Sequence, residues 1–376
     1  MSGRDAPLPD DQKYLSGQLI TCLGNKRALL GFIGEGLSRV RERLGGQRPS
    51  IFDAFSGSGA VSRLFKLHAR ALVVNDLEPY AEVLSRCYLA NRAQTDLARL
   101  RDIYEQLVHT LETEPLVPGL ISQLYAPADD SRIVSGERVF YTTRNARYLD
   151  SARSLVDGMG GIREADRPFF IAPLIVEASI HANTSGVFKG FHKDASTGLG
   201  SFGGRKADAL SRIRGDIELP FPLLCGRDCP VEVLRGDTNV IIDSIGEVDL
   251  AYLDPPYNQH PYGSNYFMLN LVAGYRQPRD LSRVSGIPGD WNRSDYNSRS
   301  RAFSALADLV ARVKAKFLLV SFNSEGFIAR SEMEELLGKH GRVEVFETGY
   351  SAFKGSRNFS GRPPRVSEYL YLLERS

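Results

Sequence analysis

Seven short stretches of β-branched, aromatic and aliphatic residues recur along the chain, at 50–55, 71–75, 231–234, 248–253, 316–322, 343–347 and 368–373. Each is nearly continuous in its apolarity, the pattern of a strand covered on both faces. Between several of them the apolar positions take helical spacing: 60–68 follows the first stretch, 80–92 the second, and 303–314 precedes the fifth. Strands alternating with helices predict an α/β fold with a doubly wound, mostly parallel sheet of seven strands.

One gap breaks the alternation. Between the helix closing near residue 92 and the next sheet strand at 231 lie about 140 residues, far more than one crossover needs. The segment 95–230 is therefore read as an inserted, mainly helical second domain or lobe, which divides the sheet domain into 1–94 and 231–376. Helical spacing covers 95–111, 145–158 and 167–182, whereas 186–208 is rich in Gly, Lys and aromatic residues. No internal repeat or low-complexity tract appears.

Composition narrows the class. The 376 residues are 42% hydrophobic and carry 47 Lys+Arg against 45 Asp+Glu, a net charge of +2, which excludes a disordered, fibrous or polyanionic chain. No apolar run reaches the roughly 18 residues of a membrane span, and the start lacks the basic-then-apolar layout of a secretory signal. A soluble, cytoplasmic protein is expected. Cys225 and Cys229 have the spacing of half a zinc site, but no second ligand pair lies near, so no metal is expected and the four cysteines read as reduced thiols in or near the core. Charge is local instead. Residues 187–214 have a net of +4, and 351–365 hold four basic residues and no acidic one, as a nucleic-acid partner requires.

Three motifs carry chemistry. Phe55, Ser56, Gly57, Ser58 and Gly59 follow the first strand and precede a helix, where glycines let the backbone approach a nucleotide-like ligand. The Walker lysine is absent, as is the later glycine of dinucleotide folds. Asn75 and Asp76 end the second strand about 20 residues on, where a carboxylate accepts the hydroxyl protons of a ribose; a helix N-cap is the alternative use of Asp76. Asp254, Pro255, Pro256 and Tyr257 follow the fourth strand, and successive prolines fix a turn from which a carboxylate and a phenol project. That turn suits a flat amino-bearing ring, hydrogen-bonded by Asp254 and a proline carbonyl and stacked on Tyr257.

In this order, and preceded by Leu23, Gly24, Asn25, Lys26 and Arg27, the motifs resemble the S-adenosylmethionine-dependent DNA adenine-N6 methyltransferases of the Dam-like (D12) class. The resemblance covers roughly 13–93 and 231–376, and the insertion falls where that family carries its target-recognition domain. It implies S-adenosyl-L-methionine as cofactor, double-stranded DNA as substrate, and a cognate restriction endonuclease as a functional rather than physical partner. Carried over, Lys26 approaches the methionyl carboxylate, Phe55, Ser56, Gly57 and Gly59 wrap the methionyl and ribose parts, Asp76 holds the ribose hydroxyls, and Gly236 with Asp237 meets the cofactor adenine. Asp254, facing both cofactor and base, holds the target with Pro255, Pro256 and Tyr257.

Contacts with DNA are expected from Lys189, Lys193, Arg205 and Lys206 in the insertion and from Lys354 and Arg357 in the basic loop before the last strand. Tyr262 and Tyr266, with His260 and Asn265, are expected to border a pocket for the flipped base. Asp rather than Ser before Pro-Pro favours adenine over cytosine N4, and the large insertion favours duplex DNA over structured RNA. An idle DNA-binding module is the reading from a different class, and the intact motifs argue against it.

Overall fold

The computed structural model describes residues 9–22, 26–204, 209–351 and 365–376. All seven apolar stretches are strands: β1 (Ser50–Asp53), β2 (Ala71–Asp76), β3 (Val231–Arg235), β4 (Val248–Leu253), β5 (Ala315–Asn323), β6 (Gly341–Ser351) and β7 (Arg365–Arg375). They form one sheet in the order β3-β2-β1-β4-β5-β7-β6. Pairing is parallel from β3 to β5, and β7 alone runs against both its neighbours. Ala54 and Phe55, expected in β1, already belong to the turn that follows it.

Before the insertion come α1 (Pro9–Ser16), α2 (Leu30–Arg43), α3 (Ala60–His68) and α4 (Pro79–Tyr88). Within it lie α5 (Leu97–Thr113), α6 (Leu120–Tyr125), α7 (Thr143–Gly158), α8 (Arg167–Ile180) and α9 (Leu210–Arg214). After it come α10 (Thr238–Ile241), α11 (Tyr262–Asn265), α12 (Phe267–Gly274), α13 (Ala302–Arg312) and α14 (Arg330–Gly338).

Two helical layers account for the unbroken apolarity of the strands. Successive strand residues point to opposite faces. Ile51, Leu250, Phe317 and Leu370 pack with Ile33 and Leu37 of α2 and Phe65 of α3. Their sequence neighbours Phe52, Ala251, Leu318 and Tyr371 pack with Leu306 of α13 and Leu336 of α14. A polar residue facing either layer would be buried at a cost of about 1–3 kcal/mol unless it found a partner.

The helix expected over 80–92 stops at Tyr88, because Asn91 has another use. Its Nδ2 donates to Cys229 O at 2.7 Å, while Asp228 accepts the backbone amides of Arg92 (2.9 Å) and Ala93 (3.0 Å). Entry and exit of the insertion are thus pinned side by side, which lets a long excursion leave the sheet undisturbed. The insertion is not packed on itself alone. One buried cluster runs from Leu107, Leu149 and Ile175 into Leu84 and Tyr88 of α4 and Phe267 and Met268 of α12.

Candidate active site

The strand order changes direction between β1 and β4, and four carboxyl ends meet beside that point, where open α/β sheets hold their ligands. β1 exits into Phe55–Gly59. Gly57 (φ 51°) and Gly59 (φ 77°) adopt the left-handed conformation that side chains disfavour, and Gly59 caps α3. The loop is held from β2: Gly57 N donates to Asp76 Oδ2 at 2.7 Å, and Asp76 Oδ1 accepts from Glu78 N at 2.9 Å. Asn75, buried, donates through Nδ2 to Gly236 O (3.1 Å) and Thr238 Oγ1 (3.0 Å), which fixes the exit of β3 against that of β2. Asp237 follows, and its Oδ1 accepts from Asn239 N at 2.9 Å.

These exits line one open cavity. Its wall contains Phe55, Ser56, Gly57, Asp76, Gly236, Asp237 and, from the end of β4, Asp254 and Pro256. Its lining of glycine backbone, carboxyl groups and aromatic rings suits a nucleotide-like ligand. Four carboxyl groups line it, Asp76, Glu78, Asp237 and Asp254, and offer acceptors for hydroxyl and amino protons, while Phe55, edge-on to Tyr296 at 5.2 Å, offers an aromatic wall.

The electrostatics are those of a partly dry pocket. Burial raises the Asp254 carboxyl to about 6, against the opposing pull of Lys26. Burial also raises Asp76, although backbone amides of Glu78, Gly57 and Leu77 stabilise its charge, and it raises Glu78 to about 7. Cys22, at the wall, is pushed up to about 12 by burial and so stays a thiol. Lys26 Nζ lies 3.1 Å from Asp254 Oδ1 and 2.7 Å from Glu368 Oε1. Burial pulls its pKa down, but the two carboxylates outweigh that and hold it well above the ordinary lysine value.

Most residues singled out from the sequence converge here, with specific exceptions. Gly59 shapes the loop without facing the cavity, and Pro255 is buried behind it. Tyr257 stands beside the cavity, its ring centroid 5.4 Å from Lys26 Nζ and its edge against Phe322. Tyr262 lines the wall, but Tyr266 corrects the expectation. It is fully buried, stacked behind Tyr262 at 5.7 Å and edge-on to Tyr80, so it supports the pocket and presents no surface to DNA. Asn265 is likewise buried, its carbonyl accepting from Phe188 N at 2.7 Å, and His260 is exposed. Lys189 and Lys193 are exposed, with Lys193 Nζ over the Phe191 ring at 5.2 Å. Arg205, Lys206, Lys354 and Arg357, like Leu23, Gly24 and Asn25, lie outside the described residues.

Residues 23–118 and 228–286 match the family of D12 class N6 adenine-specific DNA methyltransferases. The chain is 30% identical to the Type II methyltransferase M.NlaIII of Neisseria lactamica, over 86% of this chain and 90% of that protein. It belongs to this family. The Type II methyltransferase M.CviAII of Paramecium bursaria Chlorella virus 1 is 26% identical over 93% of this chain and 97% of its own. M.FokI of Planomicrobium okeanokoites is 24% identical over 94% of this chain but only 52% of its own length. As a D12 adenine-N6 DNA methyltransferase the chain uses S-adenosyl-L-methionine and acts on DNA. No helix among the described residues is long and apolar enough to cross a membrane.

The D12 cavity also contains residues that sequence reasoning missed. Asn292, Ser294, Tyr296 and Asn297 line it from the irregular segment between α12 and α13, which has neither period nor motif to reveal it. Glu78 closes the β2 side, its Oε2 accepting from Asn270 Nδ2 at 2.6 Å and Asn292 Nδ2 at 3.2 Å. Glu368 had a signal: it is the one charged residue of the apolar stretch 368–373.

Proposed function

We propose that this methyltransferase modifies the N6 amino group of an adenine flipped from double-stranded DNA, at a specific sequence, as the modification enzyme of a restriction-modification system. The observation that carries the reading is the convergence of Asp76, Asp237 and Asp254 on one cavity at the switch point. Type II methyltransferases among its relatives support the modification role, with a cognate endonuclease as functional partner.

The residues present fit the cofactor. Asp76 suits a ribose diol, Asp237 an exocyclic adenine amine, and the Gly57 turn leaves the open backbone a methionyl chain needs. Bound S-adenosyl-L-methionine supplies an electrophilic methyl group. The protein must then orient the target nitrogen and exclude water. Asp254 and the Pro255 carbonyl accept hydrogen bonds from the amino group, which draws its lone pair out of ring conjugation toward the methyl donor. Tyr257 stacks on the flipped base, offsetting an unstacking cost of about a few kcal/mol. The nitrogen sheds a proton as it gains carbon, and Asp254 acts mainly as a fixed negative acceptor there. Among the described residues Lys26 pairs with two carboxylates, and an ammonium has three N–H donors, so the third suits the methionyl carboxylate.

The insertion, with exposed Lys189 and Lys193, is read as the target-recognition part. The test is methylation of plasmid DNA with tritiated cofactor, followed by nucleoside analysis and mapping of the modified sites. Label in N6-methyladenine at one recurring sequence is expected. Label in N4-methylcytosine, or none despite cofactor binding, would overturn the reading.

A further inference from the structure

Glu368 sits on β7 opposite Asn323 of β5, about as deep as a charge can lie, at 1% exposure. Its Oε1 accepts from Lys26 Nζ and from Ser321 Oγ, both at 2.7 Å, while Oε2 is buried without a hydrogen-bond partner. Lys26 then reaches Asp254, at the exit of β4, at 3.1 Å. A buried carboxylate with one oxygen unsatisfied adds little to stability, because desolvating it costs about what the ion pair returns. A hydrophobic side chain of similar volume would fill that place without that cost. The arrangement does accomplish one thing: it fixes an ammonium at the edge of the turn that holds the target base.

We propose that Glu368 is a positioning residue for methyl transfer, anchoring the Lys26 ammonium so that Lys26 orients Asp254 toward the target amino group. The proposal rests on the reading of Asp254 as the acceptor for that group. Lys26 is short of alternatives. Its backbone starts a single 3₁₀ turn (Lys26–Leu29), and among the described residues its side chain is otherwise held by Asp254 and the face of Tyr257. Ser321 fixes Glu368 in turn, so the line Ser321, Glu368, Lys26, Asp254 crosses from β7 and β5 to the exit of β4.

The charges along this line act on Asp254 in opposite senses: Lys26 favours its ionised form and Glu368 disfavours it. The other titratable groups around it are Tyr252, Tyr262, Cys22, Asp53 and Asp76. The tyrosines and the thiol stay neutral through burial, whereas Asp53 and, across the cavity, Glu78, both raised by burial to about 7, titrate in the working range. Both are unchanged in Glu368→Gln, Lys26→Met and the double variant, so the limb is compared among those and the wild type.

The experiment is the pH dependence of kcat/KM for methylation of unmethylated plasmid, measured for the wild type, Glu368→Gln, Lys26→Met, Lys26→Met/Glu368→Gln and Asp254→Asn. The acid limb should move to lower pH in Glu368→Gln and to higher pH in Lys26→Met, each unit changing the acid-side rate about tenfold. Glu368→Gln should also lower the plateau kcat with little change in cofactor KM, because a loosened Lys26 leaves Asp254 misaligned. A uniform loss in Glu368→Gln with the limb unmoved would mean that Glu368 is structural, and the proposal fails while the role of Asp254 stands. Should Glu368→Gln not fold, the double variant against Lys26→Met carries the test: with no ammonium left to anchor, its plateau kcat must match that of Lys26→Met, and a further loss would overturn the proposal. Asp254→Asn with a wild-type rate and limb would instead overturn the functional reading itself.

Discussion

The Asp76 carboxylate grips the Gly57 amide at 2.7 Å, so the residue assigned to the ribose also fixes the glycine loop beside it. One oxygen serves the loop and the other the start of α4, through Glu78 N. Loop shape and diol recognition therefore depend on the same side chain.

It follows that Asp76→Ala should weaken cofactor binding by more than a lost diol contact. Charged hydrogen bonds of that kind are worth about 1.5–3 kcal/mol, and the Gly57 loop loses its anchor as well. Asp76→Asn, which can still accept one amide, should lie between Ala and the wild type. Calorimetric titration with cofactor checks the order, and equal affinity of wild type and Asp76→Ala would exclude the assignment.

Asp254→Ala should abolish methyl transfer while leaving duplex binding largely intact, because the lost contact is to the reacting nitrogen and not to phosphates. Gel-shift affinity and single-turnover rate, measured on the same preparation, separate the two.

Tyr257→Phe should retain most activity and Tyr257→Ala little, since stacking on a flipped base needs the ring and not the hydroxyl. The ring also bears on Lys26, at 5.4 Å from its centroid, so the alanine variant removes two contacts. Equal losses in both variants would contradict a stacking role.

Glu78 predicts a pH effect on stability. Burial raises its pKa to about 7 from the usual 4.5. Between those values the folded chain binds more protons than the unfolded one, so this group's contribution to stability falls as pH rises from about 4.5 to 7 and is lowest above 7. Glu78→Gln, which keeps an oxygen for Asn270 and Asn292, should flatten that fall and raise Tm at pH 8. Thermal melts across the range, with and without the substitution, measure it.

Trp291 is the chain's single tryptophan and carries the Arg293 guanidinium 4.5 Å from its ring centroid. Its neighbours Asn292 and Ser294 line the cavity. Cofactor binding should therefore change Trp291 emission saturably, with the midpoint found by calorimetry. An unchanged spectrum at saturating cofactor would mean that the 291–297 segment does not respond to the ligand.

What the sequence determined by itself was local and periodic. Continuous apolar stretches specified all seven strands, since a strand covered on both faces has no polar side to show, and the glycine loop, Asp76 and Asp254 were legible because each follows a strand end by a fixed short step. Long-range pairing was not legible. Tyr266 had the composition of a pocket residue, yet packing against Tyr80 and Tyr262 took it into the core. Glu368 and Lys26 are separated by nearly the whole chain, and only the placement of β7 beside β5 brings them to 2.7 Å. Tyr296 and Asn297 reach the cavity from a segment without periodicity, because their position is set by Asn239 and by the Asn258 carbonyl. Apolar patterning records which residues must leave water, whereas hydrogen bonds between distant segments depend on geometry that exists only once the sheet has assembled.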